Sequence, residues 1–175
     1  MHLQLLTTNR LHLREITIDD APAIFSIFSN HKVMKYYGMA SFTKIEQAEQ
    51  LVRHFAKSLE QKKGMRWAIE LKEQQGLIGT IGFNLLSIPN KRVEVGYELH
   101  PDFWGKGLVG EALAAVVAFG FDQLQLNRIG ATVFVENTAS QQVLIKQGFE
   151  REGLLRQYIV QSGNAHDVYI YAKIN

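Results

Sequence analysis

The chain has 175 residues, of which 46% are hydrophobic and 21% are charged, and this balance excludes an intrinsically disordered protein. A net charge of +2 without an extended basic run argues against a nucleic-acid-binding protein, and we expect the short basic stretch Lys62, Lys63 and Arg66 to be a solvated face. The chain contains no cysteine, which excludes disulfides, thiolate zinc sites, iron–sulfur clusters and acyl-cysteine intermediates and favours a cytoplasmic location.

No segment predicts a membrane partner or a second domain. The longest apolar stretch, residues 112–121, is shorter than the roughly 20 residues that a membrane-spanning helix needs. The N-terminal residues lack a basic flank followed by a long apolar block, so no signal peptide is predicted. Because no linker or low-complexity tract interrupts the chain, we expect one domain over residues 1–175.

Hydrophobic periodicity predicts seven strands and four helices. The predicted strands, in chain order, are Arg10–Glu15, Met65–Lys72, Leu77–Leu86, Val93–Leu99, Ile129–Val135, Glu150–Gln161 and Ala165–Ile174. The predicted helices begin near Asp19, near Ser41 or Thr43, at Leu108 and at Asn137, and the last ends at Gly148. Residues 30–42 are expected to form a loop, and residues 73–76 a turn. This order predicts an α/β (α+β) fold with a mixed, mostly antiparallel sheet and one central parallel crossover.

A glycine-rich segment, Gly105-Lys106-Gly107-Leu108-Val109-Gly110, precedes the third helix and has three interpretations. As a dinucleotide-binding fingerprint it is poorly placed, because it follows the fourth strand rather than the first and lacks an acid at the required spacing. It is also compatible with a tight turn that glycine simply permits. Alternatively, its backbone N–H groups and the helix N-terminus cradle a pyrophosphate, with Lys106 adding a positive charge.

The segments around these glycines resemble one family along nearly the whole chain. The stretch GYELHPDFWGKGLVGEAL resembles the acetyl-CoA pyrophosphate loop of the Gcn5-related N-acetyltransferase (GNAT) superfamily, and NTASQQVLIKQGFEREGLLR resembles the strand, helix and strand that follow it. The segments TNRLHLREITIDDAPAIFSIFSN and HDVYIYAKI are similar to the Rim-type branch, the ribosomal-protein alanine N-acetyltransferases.

The resemblance implies a GNAT-like domain whose sheet of about seven strands, with four helices, is splayed between the fourth and fifth strands. Acetyl-CoA, as the cosubstrate, would insert into that splay. The resemblance implies contacts with acetyl-CoA from the backbone near Tyr97 and Leu99, from Asn137, and from the loop residues Gly105, Lys106, Gly107, Leu108, Val109 and Gly110. The side chains of Tyr97 and Leu99 can also serve core packing, and Asn137 can equally be a plain helix N-cap.

The resemblance also implies catalytic candidates. Among Glu94, Glu98, Glu150 and Glu152, the family position favours Glu94 as the general base, acting directly or through water. Ser140 matches the Rim-type position that donates to the sulfur of CoA, although a serine in the first helical turn can also be structural.

The sequence departs from the superfamily pattern at three positions. Trp104 and Val109 stand at the first and last positions of the pyrophosphate loop, and Leu144 replaces the tyrosine that protonates the leaving thiolate in many members. Trp104 is familiar in the Rim-type branch, whereas the bulk of Val109 is expected to change how a phosphate approaches.

The implied reaction is direct acetyl transfer from acetyl-CoA to a primary amine, with a protein N-terminal α-amino group as the favoured acceptor. The alternatives are a small-molecule amine (polyamine, amino acid or antibiotic), a non-catalytic CoA-binding regulator and, least favoured, a nicotinamide-binding domain. The residues Tyr36–Phe42, which could shape the acceptor pocket, contain no carboxylate and so disfavour a polyamine. The six histidines show no metal-ligand spacing, so no metal is predicted, and both a monomer and a homodimer are compatible with the sequence.

Overall fold

The computed structural model describes residues 3–175 and contains eight strands and five α-helices within them. The strands are β1 (Leu6–Thr7), β2 (Leu11–Glu15), β3 (Met65–Leu71), β4 (Gln74–Ser87), β5 (Arg92–Leu99), β6 (Arg128–Phe134), β7 (Glu150–Gln161) and β8 (Asn164–Ile174). The helices are α1 (Ala21–Phe28), α2 (His31–Met34), α3 (Ile45–Glu60), α4 (Leu108–Asp122) and α5 (Thr138–Lys146). None of the helices in this part of the chain is long and apolar enough to cross a membrane.

All eight strands form one sheet in the order β1-β2-β3-β4-β5-β6-β8-β7. The pair β5–β6 is parallel and the other six neighbouring pairs within residues 3–175 are antiparallel, which confirms the mixed sheet with one central crossover. That crossover runs through α4, as a parallel connection requires a long return. The predicted GNAT-like architecture is therefore confirmed.

The sheet separates two hydrophobic clusters, because alternate side chains of each strand point to opposite faces. On one face α1 and α3 pack over Ala68 and Leu77. On the other face α4 packs over Trp67, Ile69 and the odd-numbered residues of β5, and Trp67 contacts Phe119 edge to face with ring centroids 5.4 Å apart. We call these the α1/α3 face and the α4/α5 face.

The parallel pair β5–β6 opens soon after it starts. Arg92, Val93 and Glu94 pair with residues 128–130, and the register of this pair ends there. Residues 95–99 of β5 and 131–134 of β6 are no longer paired with each other, while β6 stays paired with β8 on its other edge along its whole length. The predicted splay between the two strands that flank the crossover helix is thus confirmed.

Two short elements lie outside the predicted set. The two-residue strand β1 pairs with β2 through Leu6 and Leu13, and it is too short to produce a periodic signal. The one-turn helix α2 lies inside the predicted loop, where Asn30 caps it by accepting a hydrogen bond from the Lys32 N–H at 3.0 Å. The predicted turn at residues 73–76 is tighter than expected, because β4 already starts at Gln74.

Candidate active site

The gap between β5 and β6 exposes unpaired backbone groups. The N–H of His100 donates to Ile78 of β4, whereas the carbonyl of Lys91 accepts from Asn127 just before β6. Since hydrogen-bonding direction alternates along a strand, the odd-numbered residues of β5 turn their N–H groups toward β6. Beyond Glu94 these groups, including those of Val95 and Tyr97, face the gap rather than a partner strand. Such donors can bind a carbonyl oxygen placed in the gap.

A cavity of about 280 Å³ occupies this gap and is lined from both faces of the sheet. From the α1/α3 face it is lined by Tyr36, Tyr37, Arg66, Asn84, Glu94 and Thr132. From the α4/α5 face it is lined by Tyr97, Asn137, Ser140 and Leu144. The predicted residues Glu94, Tyr97, Asn137 and Ser140 therefore come together around one cavity.

Glu94 is the carboxylate that lines this cavity. It is half-buried, and its Oε2 accepts a hydrogen bond from Thr132 Oγ1 at 3.3 Å across the gap. It pairs with Asn84 of β4 in the antiparallel register, so the Asn84 side chain stands next to it on the same face. A carboxylate with one long hydrogen bond, at the edge of a cavity, keeps acceptor capacity for an amine or a water.

Glu98, two positions further along the same face, is committed to a buried network. Its side chain is 2% exposed, and its carboxylate forms an ion pair with Arg66 and accepts a hydrogen bond from Thr80. Tyr37 Oη donates to the same carboxylate at 3.1 Å, and burial raises the pKa of Tyr37 above its usual range. Because Glu98 is buried, paired with Arg66 and not part of the cavity lining, it is not available as a base.

The expectation that Arg66 belongs to a solvated basic face is wrong. Lys62 and Lys63 are exposed, but Arg66 is buried, with its guanidinium against the Phe55 ring at 5.5 Å. Arg66 lies inside β3, and the alternation of the strand turns it onto the α1/α3 face. Its Nη1 also donates to the Gly96 carbonyl at 3.0 Å, which ties β3 to the strand that carries Glu94.

On the opposite face, Tyr97 and Ser140 form a hydrogen-bonded pair. Tyr97 Oη lies 2.8 Å from Ser140 Oγ, and Ser140 stands in the first turn of α5. Burial raises the pKa of Tyr97 to about 12, and the hydrogen bond with Ser140 lowers it less than burial raises it. Tyr97 therefore stays protonated at neutral pH and can donate to Ser140 Oγ, which leaves the serine proton free to point into the cavity.

Asn137 is both the N-cap of α5 and part of the cavity wall. Its Oδ1 accepts the backbone N–H of Ser140 at 3.2 Å, as an N-cap does, and this bond fixes the turn that presents the serine. Its amide nitrogen remains a potential donor toward a ligand in the cavity. Leu144, one helical turn beyond Ser140, is buried and lines the same cavity with an apolar side chain.

The glycine-rich segment forms the start of α4. Gly105 and Gly107 have φ angles of +74° and +73°, which residues with a Cβ rarely adopt, and α4 begins at Leu108. The N–H groups of Leu108, Val109 and Gly110 form the first helical turn and have no intrahelical acceptor. With the helix dipole they make a set of donors suited to a pyrophosphate.

Hydrogen bonds connect the loop and the start of α4 to the turn between β1 and β2. Arg10 Nη1 donates to the Lys106 carbonyl at 2.9 Å, and Arg10 Nε donates to Glu111 Oε2 at 2.7 Å. Glu111 also accepts from Thr8 Oγ1 at 2.6 Å. Burial raises the pKa of Glu111, and the hydrogen bonds from Thr8 and Arg10 lower it further than that, so the net pKa lies below its usual range.

Several predicted cofactor contacts are available through the backbone alone. The side chain of Leu108 is buried in the core, and the Leu99 carbonyl already accepts Trp104 Nε1 at 2.8 Å. Trp104, which stands where the sequence differs from the superfamily loop pattern, therefore anchors the loop to the end of β5. Lys106 Nζ lies 5.3 Å from the Phe103 ring centroid, and the residues of the glycine segment do not line the cavity itself.

The remaining acidic candidates lie on β7. Glu152 accepts from Arg128 Nη1 at 2.7 Å, and this hydrogen bond lowers the pKa of Glu152 below its usual range. Neither Glu150 nor Glu152 lines the cavity. Within residues 3–175 no three potential ligands from histidine, aspartate and glutamate are grouped as a metal site would require.

Sequence reasoning missed Arg66, Asn84 and Thr132. Each is a polar residue between two apolar neighbours in its strand, and this pattern is the available signal. A polar side chain among buried neighbours needs a partner, and Arg66 and Thr132 find theirs on β5, in Glu98 and Glu94.

The sequence model of the acetyltransferase (GNAT) domain family matches residues 10–150. An uncharacterized N-acetyltransferase of Bacillus subtilis, YoaA, is 46% identical over 168 residues, which cover 96% of this chain and 95% of that protein. The ribosomal-protein-serine acetyltransferase of Escherichia coli is 34% identical over 102 residues, 58% of this chain and 57% of that protein.

Solved structures share the same fold. The structure of RimL, a ribosomal-protein alpha-N acetyltransferase in complex with coenzyme A, superposes with a TM-score of 0.87 over 98% of both chains at 23% identity. The family match, the splayed sheet and the donor set at the start of α4 agree with one another. The chain belongs to the GNAT acetyltransferase family and is an enzyme that transfers an acetyl group from acetyl-CoA to an amine.

Proposed function

We propose that the acceptor is the N-terminal α-amino group of a protein, such as a ribosomal protein. The observation that carries this is the charge of the cavity: Glu94 is its carboxylate on the acceptor face, while the neighbouring Glu98 is neutralised by Arg66. The single negative charge of Glu94 complements the single positive charge of a protonated α-amino group. The partial similarity to the ribosomal-protein-serine acetyltransferase of Escherichia coli supports the same acceptor class.

In this proposal the acceptor amine enters from the α1/α3 face and meets Glu94. Glu94 removes a proton from the ammonium, directly or through water, so that the amine nitrogen has a free electron pair. An α-amino group has a pKa of about 8, against about 10.4 for lysine, and therefore needs less help to lose its proton. A half-buried glutamate with one hydrogen bond is sufficient for that step.

Acetyl-CoA supplies the acetyl group as a thioester. The N–H groups of Val95 and Tyr97 face the gap, where they would polarise the acetyl carbonyl. On the α4/α5 face, Ser140 Oγ would donate to the sulfur while Tyr97 donates to Ser140. The start of α4, residues 105–110, would bind the pyrophosphate and Asn137 the pantetheine arm.

A small-molecule amine is the second candidate, since a cavity of about 280 Å³ can hold one. A polyamine is disfavoured, because its second and third ammonium groups would find no free carboxylate among the cavity residues described. A non-catalytic regulator receives no support from a cavity that keeps both Glu94 and the Tyr97–Ser140 pair. A cytoplasmic location and a monomer or homodimer stay predictions.

The test is acetyl transfer to matched peptides with free or blocked N-termini, with spermidine and free amino acids as competing acceptors. We expect the free peptides to be acetylated at the α-amino group, as located by mass spectrometry. Glu94→Gln should lower kcat by about 10²-fold or more without changing the KM for acetyl-CoA. Acetylation of a lysine side chain or of spermidine alone would contradict the proposal.

A further inference from the structure

A second cavity of about 230 Å³ adjoins the active site on the α1/α3 face. It lies between the C-terminal half of α3 and the end of β4, and it shares Arg66 and Asn84 with the first cavity. Asn84 pairs with Glu94, whereas its neighbours Phe83 and Leu85 line the second cavity. Since Asn84 lies on the strand next to Glu94, the second cavity begins about 4.8 Å from Glu94, which is about one to two residues of an extended chain at roughly 3.3 Å per residue.

The charge of this cavity is opposite in sign to that of the first. Lys63 and His54 line it, and none of its lining residues within the described chain is aspartate or glutamate. The charge of Arg66 is already met by Glu98, so Lys63 supplies the net charge. Within residues 3–175 Lys63 takes part in none of the ion pairs or side-chain hydrogen bonds.

The backbone holds Lys63 in a fixed place at the cavity rim. The Lys63 N–H donates to the Ser58 carbonyl at 2.9 Å, and the Leu86 N–H donates to the Lys63 carbonyl at 3.0 Å. The imidazole of His54 lies 3.4 Å from Ser58 Oγ, so the polar groups of α3 stand beside the lysine. The exposed ammonium thus extends from an anchored point rather than from a free loop.

We propose that this second cavity binds an acidic side chain at the second or third residue of the acceptor. The inference rests on the proposed function, because it assumes a chain that continues beyond the reacting amine. The acceptor then has its ammonium at Glu94 and its carboxylate at Lys63, with Asn84 between the two subsites. This arrangement selects acidic over neutral or basic sequences next to the N-terminus.

The experiment compares peptides that carry Asp, Asn or Lys at the second and third positions, at about 0.15 M salt. We expect kcat/KM to be about three- to fivefold higher for Asp than for Asn, as for an exposed ion pair, and lowest for Lys. Lys63→Glu should reverse this order. Lys57→Glu is the matched control, since Lys57 is an exposed lysine of α3 that lines neither cavity, and it should leave the order unchanged.

Binding of C-terminally labelled peptides to the CoA-loaded protein, measured by fluorescence anisotropy, separates this inference from the proposed function. Preference for Asp in binding without turnover of any peptide would refute the proposed acceptor and keep the subsite. Equal kcat/KM for the three peptides, unchanged in Lys63→Glu, would overturn the subsite and leave N-terminal acetylation standing. An equal effect of Lys57→Glu would also overturn it, since the preference would then come from overall charge.

Discussion

Tyr97 of β5 reaches the same cavity as Leu144 of α5 and contacts Ser140. Leu144 stands at the position where the resemblance to the GNAT superfamily implies a tyrosine in many members, so in the proposed mechanism a phenol is supplied by a strand and not by this helix. A hydroxyl whose pKa is about 12 does not readily release its proton to a thiolate, so its part is to donate a hydrogen bond. In the proposed mechanism Tyr97 is therefore a positioning residue that orients the proton of Ser140.

This role predicts coupled effects of Tyr97→Phe and Ser140→Ala. Tyr97→Phe should lower kcat about tenfold or less, consistent with one lost hydrogen bond of about 1 kcal/mol. In the Ser140→Ala background the same change should have little further effect on kcat, because both residues act through one proton. The measurement is a double-mutant cycle on kcat with acetyl-CoA held saturating. If the two substitutions lowered kcat by fully additive free energies, Tyr97 and Ser140 would act independently, and the proposed role of Tyr97 would be refuted.

At the scale of the element, the loop after α2 is held from both ends by one side chain of β7. Gln161 Nε2 donates to the Met34 carbonyl at 2.8 Å, and Gln161 Oε1 accepts the Gly38 N–H at 3.0 Å. Gly38 has a φ of +84°, and a Cβ there would lie 3.1 Å from Ile159. The segment between these anchors carries Tyr36 and Tyr37, which line the cavity on the α1/α3 face.

Removal of this clamp should affect the acceptor and spare the cofactor. In Gln161→Ala we expect the KM for the acceptor to rise roughly tenfold, from two lost hydrogen bonds, and the KM for acetyl-CoA to stay unchanged. Steady-state kinetics with each substrate varied in turn measures this. Val160→Ala, at an exposed neighbour on the same strand, is the control. An equal rise of the acceptor KM in both variants would refute the role of Gln161 in holding this loop.

The start of α4 has a pH-dependent anchor in Glu111. Its folded pKa is depressed, so its stabilising contribution is present above its unfolded value of about 4.5 and is lost as the pH falls through the folded value. Glu111→Gln should therefore lower the free energy of unfolding at pH 7 by about 1 kcal/mol, and by less below pH 4. Urea unfolding at both pH values tests this, with the exposed Glu60→Gln as control. If the loss of unfolding free energy in Glu111→Gln were as large below pH 4 as at pH 7, Glu111 would not be a pH-dependent anchor.

For the whole molecule, local sequence patterns predict most of the helices and strands, but they do not predict contacts between residues that are distant in the sequence. The alternation of Val93, Val95 and Tyr97 defines β5 on its own, and Gly148 with a φ of +80° ends α5 as its sequence position predicts. The burial of Arg66 depends on Glu98, which is 32 residues away. No local period contains that information, so the sequence pattern around Lys62 and Lys63 predicts a solvated position for Arg66 as well.

The candidate site likewise contains residues that are close in the sequence and pairs that only the fold brings together. The helix start at Asn137 follows from local features of the sequence, whereas the site roles of Asn137 and Ser140 follow only from the family resemblance. The pairing of Tyr97 with Ser140 spans 43 residues and requires α5 to return over the gap. Asn84 and Thr132 lie beside Glu94 only because three strands align in register.

The separation of the two faces of the sheet has a consequence for how such an enzyme diversifies. The cavity residues on the α1/α3 face come from the segment after α2, from α3 and from strands β3 to β6, whereas those on the α4/α5 face come from β5, β6 and α5 with its N-cap. Only the central strands β5 and β6 contribute residues to both faces. In the proposed mechanism, a new acceptor preference would therefore require changes on the α1/α3 face alone, with Glu94 and the residues of the α4/α5 face retained.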